Sequence, residues 1–222
     1  MIKLFNSPAS TAMSVHAALE EIGCEFENCW IDIGLPLSQR DPEFRALSPH
    51  GAVPLLVGPD GTVVFEGTAI LTYLADCYPD AKLGPAVGDP KRGDFLKWLT
   101  YMSNTLQIAM QIYFMPYEHT TSVEGYNEVS DKGIERLDTS WQVIDAECAA
   151  CGPYLLGETF SACDLHLQML TLWHRDPQAM RARYPNVKRC VELVEQRPAV
   201  QRIMRYHGPD WVTQHPDFPG PP

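Results

Sequence analysis

The chain contains no apolar run approaching the roughly 18 residues that a membrane span needs. Its first residues, Met1-Ile2-Lys3-Leu4-Phe5, turn polar at Asn6 before the apolar region of a signal peptide could form. A cytoplasmic protein with no membrane partner is therefore expected. Positive charge is also scarce: 17 Lys and Arg stand against 28 Asp and Glu, a formal charge of −11, and the first 80 residues hold three basic residues against eleven acidic ones. A surface of that sign excludes nucleic acid as a natural partner. The seven cysteines are odd in number and scattered through stretches that read as helix or strand, which fits reduced thiols and not a disulfide framework. No Cys-x-x-Cys opens the first predicted helix, so a thioredoxin-type reductase is disfavoured. Cys148-Ala149-Ala150-Cys151 has suggestive spacing but lacks two further ligands, and no metal is expected.

With 222 residues and 45% hydrophobic content, the chain can bury a sizeable core. Ile2 and Leu4 alternate with polar neighbours, Asn6-Ser7-Pro8-Ala9 breaks the run, and Val15, Ala18, Leu19 and Ile22 recur at helical spacing before Gly23. Cys29, Ile31 and Ile33 alternate as a second strand. Asp41-Pro42 supplies an N-cap and a first-position proline for a short helix through Leu47. Residues 53–57, the turn Pro59-Asp60-Gly61 and residues 63–65 read as a hairpin, and Ile70, Tyr73, Leu74 and Cys77 mark a further amphipathic helix.

Strand signals then stop. Three prolines and two glycines crowd Pro79 to Pro90, and every later periodic segment is helical, near 91–118, 127–151, 161–175 and 187–205. The predicted organisation is a first domain over 1–80, a linker over 81–90, an all-helical domain over 91–207 and a proline-rich tail over 208–222. That tail carries five prolines with Trp211 and Phe218 and is predicted to be non-helical. Ser161, with Asp164 three positions on and Phe160 and Leu165 flanking, has the spacing of a capping box with a hydrophobic staple, which is a folding device.

The segment Ala46-Leu-Ser-Pro-His-Gly-Ala-Val-Pro-Leu-Leu, followed from Asp60 by Asp-Gly-Thr-Val-Val-Phe-Glu-Gly-Thr-Ala-Ile-Leu-Thr-Tyr-Leu, closely resembles the glutathione-site core of glutathione S-transferases. The motif around Ser161 and Asp164 resembles the one in that family's C-terminal domain. The likeness thus extends to about residue 207, and bacterial beta-like members are nearest. It implies a thioredoxin-like N-terminal domain, a helical-bundle C-terminal domain, glutathione as co-substrate and a homodimer. The implied activity is a transferase whose glutathione thiolate attacks a small hydrophobic electrophile. Alternatives within the same fold are a non-catalytic glutathione- or ligand-binding scaffold and a glutathione-dependent lyase that cleaves ethers or halides.

The resemblance also assigns residues. Val53-Pro54 is implied to be a cis bond that leaves the Val53 backbone to pair with the cysteinyl unit of glutathione. Glu66 is placed to meet the γ-glutamyl ammonium, and the Gly67 and Thr68 amides its carboxylate, at a helix N-terminus that suits an anion. For the glycine carboxylate the candidates are Arg40 and His50, because the lysine that relatives carry before Val-Pro is Ala52 here. Ser10, Thr11 and Asn6 are the candidates beside the sulfur. Ser10 fits the serine-type arrangement, Thr11 falls where beta-like members carry cysteine, and Asn6 stands near the tyrosine of others. The loop itself has neither tyrosine nor cysteine. Ser10 and Thr11 equally suit an N-cap. The electrophile is expected against the first long helix of the second domain, at Tyr101, Asn104, Gln107, Ile108, Gln111 and Tyr113. Thr100 and Gln107 stand where beta-like members place asparagine and histidine.

Overall fold

The computed structural model describes residues 1–208; the proline-rich segment from 209 lies outside the described residues. Two compact units emerge, one made of Met1–Val87 together with the segment from Val194, the other of Gly88–Leu193. The division differs from a purely sequential one, because the last helix returns to the first unit.

In the first unit, β1 (Ile2–Asn6), α1 (Ala12–Ile22) and β2 (Phe26–Trp30) form a parallel β-α-β unit. α2 (Pro42–Leu47) leads to β3 (Leu55–Val57) and β4 (Val63–Phe65), antiparallel to each other, and then to α3 (Gly67–Cys77). The sheet order is β2-β1-β3-β4, with β1 and β3 antiparallel. This is the thioredoxin-like arrangement. Val15, Ala18 and Leu19 are buried on α1, which ends where Gly23, at φ 70°, returns its N–H to the Leu19 carbonyl. Asp41 caps α2 by accepting the Phe44 N–H at 2.9 Å, with Pro42 at the first position. Phe5, Ile31, Phe44 and Leu55 form a core beneath the sheet. The second strand corrects the expected one over residues 29–33. β2 pairs only as far as Trp30 opposite Asn6, where β1 ends, and Ile31 adds one last bond to the Asn6 carbonyl.

α10 (Pro198–His207) packs on α1 through Ala199, Val200 and Ile203, all buried. Arg197 binds Glu21 through two nitrogens at 2.7 and 2.8 Å, and Arg202 reaches Glu20 at 2.6 Å. The helix expected over 187–205 is therefore two helices, α9 (Pro185–Glu195) and α10. Pro198 forces Arg197 into an extended conformation (ψ 133°) and restarts the helix.

In the second unit, the helix expected over 91–118 is α4 (Arg92–Tyr101), a π-helical turn at Met102–Leu106 and α5 (Gln107–Phe114). The chain leaves that path at Met115-Pro116. α6 (Tyr126–Cys151) packs on α5, where Gly133 admits the Tyr113 backbone; a Cβ there would lie 2.7 Å from the Tyr113 nitrogen. α7 (Ala162–Leu172) is buried along nearly its whole length. The capping box is present: Asp164 accepts the Ser161 N–H at 2.7 Å while the Ser161 hydroxyl accepts from Cys163. Asp164 also accepts the Leu155 N–H at 2.8 Å, so it ties the preceding loop to the helix as well. α8 (Pro177–Arg183) had no counterpart among the expected helices. α9 is started from outside itself, since Asp145 on α6 accepts the N–H groups of Asn186 and Val187 at 2.8 and 3.0 Å.

Candidate functional site

Between β1 and α1 the chain turns through Ser7-Pro8-Ala9-Ser10-Thr11. Ala9 has φ 52°, a left-handed conformation uncommon for a residue with a side chain. The Ser10 hydroxyl donates to the Ser7 carbonyl at 2.7 Å and accepts the Ala12 N–H at 3.2 Å, while its carbonyl takes the Met13 N–H at 3.0 Å. Ser10 thus organises the helix start. Thr11 turns outward from the helix and donates its hydroxyl to the Val53 carbonyl at 2.9 Å. Both hydroxyl protons are engaged by backbone carbonyls. The Thr11 N–H, by contrast, donates to no backbone carbonyl among the described residues.

The Val53-Pro54 bond is cis. Pro54 is buried and Val53 half-buried at the entry to β3. At the α3 N-terminus, a Cβ built on Gly67 would lie 3.7 Å from the Pro54 ring and 3.8 Å from the Thr11 carbonyl. The start of α1, the cis bond and the start of α3 therefore meet at one place. Glu66 precedes α3 with φ 71°, a second side chain held in left-handed backbone, and it is exposed with no capping bond of its own. The first helical bond runs from Ile70 N–H to the Glu66 carbonyl at 2.9 Å. That leaves the Gly67 and Thr68 amides outside the helical ladder, at the positive end of the helix dipole.

Two candidates are placed otherwise than the sequence reading has them. Asn6 is fully buried, and its amide nitrogen faces His16 Nδ1 at 3.3 Å and the Asn28 carboxamide oxygen at 3.1 Å. It is part of the interior beneath the loop. Arg40 donates to the carbonyls of Leu35 at 2.9 Å, Ile33 at 2.5 Å and Gly51 at 2.6 Å. It therefore clamps the loop after β2 to the loop before Val53. His50 is exposed near that loop.

On the helical unit, Tyr101, Gln107, Ile108 and Gln111 are half-buried and Asn104 is exposed. The π-helical turn carries Asn104, whose carboxamide oxygen accepts from the Ser103 hydroxyl at 3.2 Å. Single π turns recur at functional sites because they re-aim the residues of one face. Tyr113 is engaged in packing. Its ring is stacked under the Arg175 guanidinium at 4.7 Å, and its carbonyl accepts the Ser130 hydroxyl.

Sequence reasoning missed a network under the Ser7–Thr11 loop. His207 Nδ1 accepts the Ala9 N–H at 3.1 Å, and His207 Nε2 lies 3.0 Å from His16 Nδ1. Both rings are buried, and burial holds them neutral, pushing His16 to about 4 and His207 to about 3. The only sequence signal was a histidine at a core position of α1; its partner stands 191 residues away.

Residues 9–77 match the family model described as Glutathione S-transferase, N-terminal domain, and residues 101–198 match that described as Glutathione S-transferase, C-terminal domain. Glutathione S-transferase GstA of Escherichia coli O157:H7 is 26% identical over 207 residues, covering 93% of this chain and 99% of that protein. Among solved structures, a sphingomonad glutathione S-transferase complexed with glutathione has 29% identity and a TM-score of 0.80, over 91% of this chain and 97% of the other. A bacterial beta class glutathione S-transferase of Sphingomonas chungbukensis has 26% identity and a TM-score of 0.80, over 93% and 98%. With both halves matched in order and the meeting of α1, cis-Pro54 and α3 in place, the chain belongs to the glutathione S-transferase family.

Proposed function

We propose that this protein is a glutathione transferase that binds glutathione on its first unit and activates the thiol for attack on a small hydrophobic electrophile. The observation that carries this reading is the meeting of Thr11, cis-Pro54 and Gly67 at one place. There the Val53 backbone can pair with the cysteinyl unit of the peptide. The Glu66 carboxylate takes the γ-glutamyl ammonium, and the Gly67 and Thr68 amides take the γ-glutamyl carboxylate. The sphingomonad relative complexed with glutathione supports the choice of ligand. Since Arg40 already holds three carbonyls, His50 is the better partner for the glycine carboxylate.

A free thiol titrates near ~8.5, so the site must favour the thiolate at neutral pH. The α1 N-terminus offers the Thr11 amide and the helix dipole for this. A serine- or threonine-type mechanism adds a hydroxyl donor, which requires one hydroxyl to leave its carbonyl. Thr11 is the better choice: turning Ser10 away would also release the Ala12 amide, whereas Thr11 gives up one bond. The electrophile is assigned to Tyr101, Asn104, Gln107, Ile108 and Gln111, with Tyr113 behind them as a packing residue. We further propose a cytoplasmic homodimer with a role in detoxification, and light scattering should give twice the single-chain mass of 24.9 kDa.

The engagement of both hydroxyl protons favours one competing reading, a protein that binds glutathione without turning it over. Thiolate absorbance against pH, in the wild type, Ser10→Ala, Thr11→Ala and the double mutant, separates the two. A bound thiol pKa lowered in the wild type and raised in Thr11→Ala is expected. No lowering in the wild type, together with no turnover on a panel of halogenated, ether and epoxide substrates, selects the non-catalytic reading.

A further inference from the structure

The Ser7–Thr11 loop is not held by its own bonds alone. Its apex residue, Ala9, has a left-handed backbone, and the Ala9 N–H points to a ring on a helix that enters the unit at the other end of the chain. The hydrogen-bond roles in this network resolve from one end. A backbone N–H can only donate, so His207 Nδ1 accepts and a neutral His207 must carry its proton on Nε2. That proton is donated to His16 Nδ1, which fixes the His16 tautomer as well. Asn6 must then offer its NH2 group to the same nitrogen, at 3.3 Å, and its second hydrogen to Asn28 on β2 at 3.1 Å. Two donors therefore converge on His16 Nδ1, one from His207 and one from Asn6, and the loop amide is linked through two neutral rings to the sheet.

We propose that His207 is a positioning residue for glutathione activation: by accepting the Ala9 N–H it sets the loop that places Thr11 and the first amides of α1 against the sulfur. This rests on the reading that the loop and the α1 N-terminus hold the thiolate. His207 is anchored on three sides. Its ring packs at 5.2 Å from His16 and 5.8 Å from Trp30, and the helix that carries it buries Ala199, Val200 and Ile203. The charged groups that bear on the neighbouring His16, Glu20 and Arg205, act in opposite directions, so burial decides the neutral state of the pair. A group that only filled space would not need an acceptor at Nδ1.

Four forms of the full chain test this: the wild type, His207→Phe, His207→Asn and Arg202→Ala. Phenylalanine keeps the ring volume and removes the acceptor. Asparagine places an oxygen close to where Nδ1 stood. Arg202→Ala removes an exposed ion pair between α10 and α1 that touches neither the loop nor His207. Glutathione affinity by calorimetry, the pKa of the bound thiol by thiolate absorbance, and kcat and KM with a chlorodinitrobenzene are measured on each.

For His207→Phe the expected result is a raised thiol pKa and a kcat lower by about tenfold, the scale on which small misplacements act. The glutathione KM should change little, because Val53, Glu66 and Gly67 are untouched. His207→Asn should recover most of the loss, and Arg202→Ala should lower the melting temperature without shifting the thiol pKa. A lowered melting temperature in His207→Phe with thiol pKa and kcat unchanged would overturn the assignment, as would an equal pKa shift in Arg202→Ala. A wild type that binds glutathione without lowering its thiol pKa fails the functional reading itself, and the positioning role falls with it.

Discussion

At the scale of single residues, the site is built from groups whose neighbours decide what they can do. Glu66 is exposed, carries no capping bond and sits in left-handed backbone, so its carboxylate is available to a ligand and contributes little to the fold. Glu66→Gln should weaken glutathione binding by about 1 kcal/mol, roughly fivefold in Kd, below the usual range for a charged hydrogen bond because the group is solvated. Calorimetry on a mutant with an unchanged melting temperature checks this, and unaltered affinity would remove the γ-glutamyl seat. Gly67 offers a complementary gain. A Cβ there meets only ordinary contacts at 3.7 and 3.8 Å, so Gly67→Ser should fold normally and bind glutathione at least as well. Arg40 shows the limit of reading charge from sequence. A guanidinium close to the site was a natural anion partner, but three carbonyls nearer to it took its donors.

Among the elements, the helix starts divide into those legible from spacing and those that depend on distant residues. Asp41-Pro42 and Ser161 with Asp164 are local devices, and both cap as their spacing requires. The start of α9 is not local, because its cap, Asp145, comes from α6. The α5–α6 contact likewise rests on one glycine in a helix interior, where glycine is otherwise unfavourable. Gly133→Ala would gain helix propensity yet place a methyl group 2.7 Å from the Tyr113 backbone nitrogen, where backbone cannot yield cheaply. The overpacking should win by about 1–3 kcal/mol. A urea titration showing a lower midpoint at unchanged slope checks this; a stabilised variant would mean that α5 and α6 approach less closely than described.

Across the whole molecule, the buried histidines set the response to acid. His16 and His166 are pushed down to about 4 and His207 to about 3, all chiefly by burial. Each takes up a proton near ~6.5 when unfolded but resists doing so when folded. The stabilisation that their neutral forms allow is complete above that pH and is lost as pH falls toward 4. Buried Asp164, whose carboxyl is raised, has the opposite slope and offsets part of the loss. Melting temperature should therefore fall between pH 6.5 and 4.5, by a few kcal/mol in stability. A flat profile over that range would mean that the histidines are not held neutral.

The sequence by itself determined what depends on near neighbours: the strand, loop and helix at the start, the capped helices, the glycine-rich turn of the hairpin and the run through Val53-Pro54 to Glu66-Gly67. Periodicity, turn chemistry and capping act within a few residues, so they are written in the order of the chain. Tertiary structure alone decided that Asn6 turns inward, that Arg40 clamps loops, that Ser10 and Thr11 give their protons to carbonyls, and that a helix near the end of the described chain returns to support the first loop. Each of these is a competition for hydrogen bonds between groups far apart in sequence. Ala9 and His207, 198 positions apart, carry no mark of one another until folding places them at 3.1 Å.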